Sequence, residues 1–303
     1  MRNTFIRTLM DLAGQDDRIF LVTADMGYSV LEGFRGAYPE RFLNAGIAEQ
    51  NAVGVAAGLA LSGYQVYVYS IIPFVTMRCF EQVRVDVAYQ NLDIKLVGVG
   101  AGYSYGPAGA THHAIEDIAI MRSLPNMRVV CPGDPVEVKE LVLRLHESAG
   151  PAYLRLGKNG EPSIHPEGTR IELGQAMTIR SGHDLAVIAT SNMLEQALKW
   201  TGEWEQEGIS VRLVSMPTIK PLDRVAIVEM IEEGLPILTL EEHSRIGGLG
   251  SAVAEVIADE GKPVRFKRIG IQDEFSHHVG SQQYVRGKMG LMNKPDWPLK
   301  HKP

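Results

Sequence analysis

Gly46-Ile47-Ala48-Glu49-Gln50-Asn51-Ala52-Val53-Gly54-Val55-Ala56-Ala57-Gly58-Leu59-Ala60 is the stretch whose reading decides the fold. Its spacing predicts a helix over 48–61, with small residues on every face, so another helix or backbone must approach it closely. One carboxylate, Glu49, sits in its first turn beside Gly46, Ile47 and Ala48. Short apolar runs at 19–24 and 64–69 flank it, rich in β-branched and aromatic residues and bounded by turn residues. Runs of that kind read as buried parallel strands, so the quoted helix is a strand-to-strand crossover.

Outward from this unit the same alternation continues. Further strands are expected at 94–99, 127–130 and 152–156, with helices at 75–90, 114–123 and 135–148. Between 158 and 182 the rhythm breaks at Asn159, Gly160, Pro162, Pro166, Gly168 and Gly182, which reads as a linker. Strands then resume at 185–190, 210–215, 236–240 and 264–269, with helices at 192–206, 223–233 and 247–259. The fold class is therefore α/β: two doubly wound, mostly parallel-sheet domains over 1–157 and 183–303, each with its own core. The tail after Gly280 lacks periodicity and is expected to lie over the surface or a partner.

Composition excludes several function classes. Hydrophobic residues make up 45% of the 303 and the formal net charge is −6, the wrong sign for nucleic-acid binding. No run reaches the roughly 18 apolar residues of a membrane span, and residues 1–10 lack the apolar core of a signal peptide. Cys79 and Cys131 have no metal-type spacing and read as buried thiols of a reduced, cytoplasmic protein. No phosphate-cradling P-loop is present, and Gly98-Val99-Gly100-Ala101-Gly102 runs on into Tyr103-Ser104-Tyr105-Gly106-Pro107 as a loop lining a site.

On residue type alone, Glu49 reads either as a favourable acid at a helix N-terminus or as a carboxyl held among apolar groups, where it can share a proton with a ring nitrogen. Five motifs in order go further: Val22-Thr23-Ala24-Asp25-Met26, the Glu49 segment, Arg78-Cys79-Phe80-Glu81-Gln82-Val83-Arg84, Gly109-Ala110-Thr111-His112-His113 through Asp117, and Leu240-Glu241-Glu242-His243 with Gly247-Gly248-Leu249-Gly250. Together, across essentially the whole chain, they resemble the pyrimidine-binding and C-terminal domains of the transketolase family. That family also takes in 1-deoxyxylulose-5-phosphate synthase.

The resemblance implies thiamine diphosphate as cofactor. Glu49 matches the glutamate that hydrogen-bonds N1′ of its aminopyrimidine and promotes the imino tautomer, whose 4′-nitrogen removes the C2 proton. Phe74 matches the aromatic packing on the pyrimidine, and Asp25 the acid beside the thiazolium portion. His112 matches the histidine that contacts sugar oxygens; His113 is assigned no role. Arg2, Ser29 and Arg155 fall at positions that recognise the substrate phosphate. Glu242, His243 and the glycine turn after them read as structural or interfacial.

Three departures and one absence stand out against the family. The acid four places before the sugar-contacting histidine is Ala108 here, a histidine after the third strand is Gly100, and the intervening loop carries Tyr103, Tyr105 and Pro107. The sugar is therefore expected to be deoxygenated, branched or nucleotide-linked. The family's Gly-Asp-Gly and Asn ligands for Mg²⁺ belong to a preceding domain and have no match; Gly133-Asp134 runs into Pro135. The resemblance thus implies a small subunit of a split transketolase, with no metal ligands of its own and active only with a diphosphate-binding N-terminal partner in an α₂β₂ heterotetramer. The alternatives are a synthase-like subunit taking pyruvate as donor and a non-catalytic regulatory subunit.

Overall fold

The structure, a computed structural model, describes residues 1–296, so the last residues of the expected second domain, 297–303, lie outside it. Six strands follow in the first part of the chain: β1 (Ile19–Thr23), β2 (Phe42–Asn44), β3 (Gln65–Ile71), β4 (Ile94–Val99), β5 (Arg128–Val130) and β6 (Ala152–Leu156). Six more follow: β7 (Met177–Arg180), β8 (Leu185–Ala189), β9 (Val211–Ser215), β10 (Thr218–Lys220), β11 (Ile237–Ser244) and β12 (Phe266–Ile271). The first sheet has the order β10-β5-β6-β4-β3-β1-β2 and the second β12-β11-β8-β9-β7. All pairings are parallel except β10 with β5 and β7 with β9. The α/β class with two mostly parallel sheets is as the alternation predicts. β3, β4 and β6 are buried along their whole length, as strands covered on both faces must be.

The two halves interlock more than a linker-joined pair would. β10 comes from the second half yet closes the edge of the first sheet. One apolar cluster runs through Leu96, Val129 and Met127 into Ala186, Ile188, Val214 and Leu249, so the expectation of two separate cores is corrected. The tail reading is corrected too. Gln282–Lys288 is a helix capped by Ser281; Val285 is buried and Arg286 forks onto the buried Glu242 carboxylate at 2.7 Å. The helix expected at 114–123 begins only at Asp117, because Gly109 (φ 75°) and the turn Ala110–His112 hold the preceding residues in a loop. The helix expected at 75–90 winds instead largely in wide π-type turns, Phe74–Arg78 and Val83–Tyr89.

The linker is pinned by a buried polar cluster. Asp134 caps the helix Pro135–Glu147 by accepting from Glu137 N at 2.8 Å, and its other oxygen accepts from the Ile164 and His165 amides. Glu137 accepts from the Ser215 hydroxyl at 2.5 Å, and burial pushes its carboxyl up to about 7. An acid raised this way contributes stability below its unfolded value of about 4.3 and loses it as pH climbs through 7. Glu137→Gln should therefore gain on the wild type by on the order of 2 kcal/mol between pH 5 and 8 in urea melts, as the linkage relation gives. The comparison cancels His113 and His243, which burial pushes down and which act with the opposite sign. Parallel pH curves for the two proteins would contradict this account.

Candidate active site

Glu49 opens the helix Glu49–Leu61, which follows Asn44 at the end of β2, and only 3% of the residue is exposed. It is a buried carboxylate in the first turn of its helix. One oxygen accepts from Arg78 Nη1 at 2.7 Å. The guanidinium of Arg78 in turn lies over the Phe74 ring, Cζ to centroid 4.2 Å. Both residues belong to the π-type turn after Pro73, four positions apart, which stacks one above the other. His112 packs against Phe74, the two rings meeting edge-on at 5.2 Å, and has Thr111 Oγ1 2.8 Å from its Nδ1. Glu49, Phe74 and His112 are thus brought together. Arg78 joins them, although the motif it opens gives it no role.

Tyr105 extends the site from His112, centroids 6.1 Å apart, and lines a cavity of about 140 Å³ with Arg2, Met26, Tyr28, Ser70 and Val99. Arg2 Nε and Ser70 Oγ, of two residues lining this cavity, are buried with no hydrogen-bond partner among the described residues. Arg2 is held by an ordered N-terminus: the Met1 amine pairs with Glu161 at 3.0 Å and the helix Arg2–Ala13 buries Phe5, Leu9 and Leu12. Asp25 adopts φ 53° after β1 and is oriented by Asn44, which exchanges hydrogen bonds with it at 2.8 and 3.1 Å. It lines a second cavity with Tyr28, Glu32 and Arg35. Ser29 lies in the same loop, exposed, with its amide on Glu32.

Arg155 is corrected. It is fully buried and spends its donors inside: on Asp117 at 2.8 Å, Ser191 Oγ at 3.1 Å, and the Ala114 and Glu242 carbonyls at 2.9 and 3.0 Å. Burial, which would lower its pKa, is outweighed by the Asp117 carboxylate, so the guanidinium stays charged. Such a group ties the two sheets together and cannot reach a substrate phosphate. Three residues on, Lys158 Nζ stands 4.7 Å from the Tyr105 ring centroid, a cation beside the Arg2 cavity that no motif marks.

The altered loop has a physical cause for its glycine. Gly100 has φ 101°, and a Cβ there would sit 2.3 Å from the Tyr105 ring. The tyrosine fills the space that a side chain at 100 would take, so the two departures are one exchange. Tyr103 faces the other way, wholly buried against His113, and is no candidate for substrate contact. Among the described residues no group of three or more His, Cys, Asp and Glu is placed to hold a metal, and no helix is long and apolar enough to cross a membrane. Cys79 and Cys131 are buried and free, with burial raising both thiols.

Comparison with known proteins bears on the family and the fold. Residues 1–161 match the family described as transketolase, pyrimidine binding domain, and residues 174–287 match transketolase, C-terminal domain. An apulose-4-phosphate transketolase subunit of Phocaeicola vulgatus is 41% identical over 93% of this chain and 90% of its own. A 6-deoxy-6-sulfo-D-fructose transketolase subunit of Clostridium sp. is 36% identical over 97% and 91%. The 1-deoxy-D-xylulose-5-phosphate synthase of Shouchella clausii is 33% identical over 95% of this chain, which spans only 46% of the synthase. A solved structure described as a split gene transketolase, inactive β4 tetramer, superposes with a TM-score of 0.88 at 37% identity, covering 96% of this chain and 93% of the other. Fold and relatives agree: the chain belongs to the transketolase family, of which it carries the pyrimidine-binding and C-terminal domains.

Proposed function

We propose that this chain supplies the cofactor-activating half of a thiamine-diphosphate-dependent transketolase that moves a two-carbon ketol unit between sugar phosphates. A partner subunit would hold the diphosphate through Mg²⁺, in an α₂β₂ assembly. The observation that carries the reading is the buried Glu49 carboxylate, joined through the Arg78 guanidinium to the face of Phe74. A flat heteroaromatic ring with a basic edge nitrogen would take stacking from a phenyl face and a proton at its edge from the carboxylate. When bound, thiamine diphosphate supplies the electron sink for cleaving the bond beside a ketose carbonyl. Glu49 would hold the proton at the pyrimidine edge and Asp25 would face the thiazolium portion. His112, partly exposed and next to Phe74, would donate to a sugar oxygen.

For the substrate phosphate, Arg2 and the nearby Lys158 support a site in the Tyr105 cavity, and Ser29, next in the chain to the lining residue Tyr28, would add its hydroxyl. Lys158 takes the place in this reading that Arg155 held in the sequence. The Tyr105–Gly100 exchange and Ala108 support a ketose other than the common pentulose phosphate. The relatives named for apulose 4-phosphate and for 6-deoxy-6-sulfo-D-fructose point the same way. Gly100 also leaves a second reading open, a synthase-like subunit taking pyruvate. A donor screen on the complex with its partner separates them. Turnover of a branched or deoxygenated ketose phosphate, with little activity on pyruvate, is expected; pyruvate as the preferred donor would overturn the transketolase reading.

A further inference from the structure

We infer that Gln282 is a positioning residue for the sugar site: from the C-terminal domain it fixes the loop Gly102–Ala108, which carries Tyr105 and Ala108. The inference rests on the proposed sugar-phosphate reading and adds to it a brace from outside the pyrimidine-binding domain. The Gln282 side-chain amide donates to Ser104 Oγ at 3.2 Å and to Glu242 Oε2 at 2.9 Å, 178 and 40 residues away in sequence. Ser104 Oγ in turn donates to the Ala101 carbonyl at 2.6 Å, so the hydroxyl is used both ways inside one network.

The brace stands on a rigid base. Glu242 is wholly buried near the end of β11 and also takes both arms of the Arg286 fork at 2.7 Å. Gln282 and Arg286 are four apart on the helix Gln282–Lys288, which brings both side chains to one carboxylate. The loop meets this base without a gap. A Cβ at Gly102 would lie 2.2 Å from Glu242 Cδ, and one at Gly106 would lie 2.5 Å from the Gly280 carbonyl oxygen. Glycine at 106 thus lets backbones from the two domains touch. Within the loop, the Ser104, Gly106 and Ala108 amides bond only to carbonyls three residues back, at 3.2, 2.8 and 2.8 Å, so contacts from elsewhere in the fold must hold it in place. His112 is held separately, against Phe74. The brace therefore acts on Tyr105 and Ala108 and not on the cofactor chemistry.

The test uses the complex of this chain with its diphosphate-binding partner, as wild type, Gln282→Met, Gln282→Lys and Gly106→Ala. Amide hydrogen exchange over 102–108 is read by mass spectrometry. Beside it are measured kcat and KM for xylulose 5-phosphate and fructose 6-phosphate, with ribose 5-phosphate as acceptor, and exchange of the bound cofactor's C2 proton. Gln282→Met keeps the length and loses the donors. Its loop amides should exchange about tenfold faster and KM should rise by about the same factor, the scale of one lost hydrogen bond. kcat and C2-proton exchange should stay at wild-type values, a split that a general loss of stability would not give. Gln282→Lys, with donors for both acceptors, should return both readings toward wild type. Gly106→Ala pushes Gly280 off the loop and should repeat the Gln282→Met pattern; it carries the test if Gln282→Met does not fold. Unchanged exchange over 102–108, or a fall in kcat with KM unchanged, would overturn the proposal and leave Gln282 as a packing contact. If the wild type turns over no ketose phosphate although the loop responds as stated, the sugar-phosphate reading falls, and the positioning role with it.

Discussion

Glu49→Gln in the assembled enzyme is expected to slow exchange of the cofactor's C2 proton with solvent deuterium by at least about 100-fold, the scale of a positioned general acid–base group. The reasoning starts from burial. Only 3% of Glu49 is exposed, and the carboxylate sits at the start of a small-residue helix with one polar partner, Arg78. A carboxylate so placed can hold and return a proton at a ring nitrogen pressed against Phe74. Glutamine keeps the shape and a hydrogen bond but cannot take or give that proton. Cofactor affinity should change far less than exchange, because the ring stack and the diphosphate contacts survive. Quenched-flow exchange followed by NMR reads the rate. An unchanged rate would remove Glu49 from the chemistry.

The second large effect concerns Ala108, exposed in the turn Gly106–Ala108 four residues before His112. Where relatives of the common type carry an acid, alanine can accept no hydrogen bond from a sugar hydroxyl, and a hydroxyl pressed against it loses water without return. Ala108→Asp should shift preference toward the xylulose 5-phosphate and ribose 5-phosphate pair by roughly 10- to 100-fold in kcat/KM, about 1–3 kcal/mol. The position suits the test because no buried contact is lost by the change. The competing explanation gives Tyr105 the missing contact; Tyr103 is excluded because it is wholly buried. If Tyr105 supplies it, the wild type already turns over the standard pair well, and that result would cancel the altered-specificity prediction.

Much of the architecture is legible in the sequence because parallel strands buried on both faces are nearly continuous apolar runs. β3, β4, β6 and β8 stand out for that reason. β2 and β10 do not: each has three residues and is held by its neighbours in the sheet. The N-terminal helix is hidden by its mixed composition, although Phe5, Leu9 and Leu12 mark its buried side. Glu49, Phe74 and His112 each sit in a local motif, and the fold gathers them through Arg78 and the Phe74–His112 contact. Arg155 misleads for the opposite reason. Its position at the end of a strand resembles a site-facing place, but its partners Asp117, Ser191 and the Glu242 carbonyl lie far along the chain. Long-range pairing of that kind leaves no periodic trace. The same holds for Tyr105 against Gly100, where a missing side chain in one place is a ring inserted from another.

The central claim is that this chain holds only the pyrimidine end of the cofactor and depends on a second subunit for the rest. Calorimetric titration of thiamine diphosphate with Mg²⁺ into this chain, alone and then after adding the diphosphate-binding subunit, tests it most directly. The account predicts negligible heat with the chain alone and micromolar or tighter binding once the partner is present. Micromolar binding to this chain by itself would contradict it.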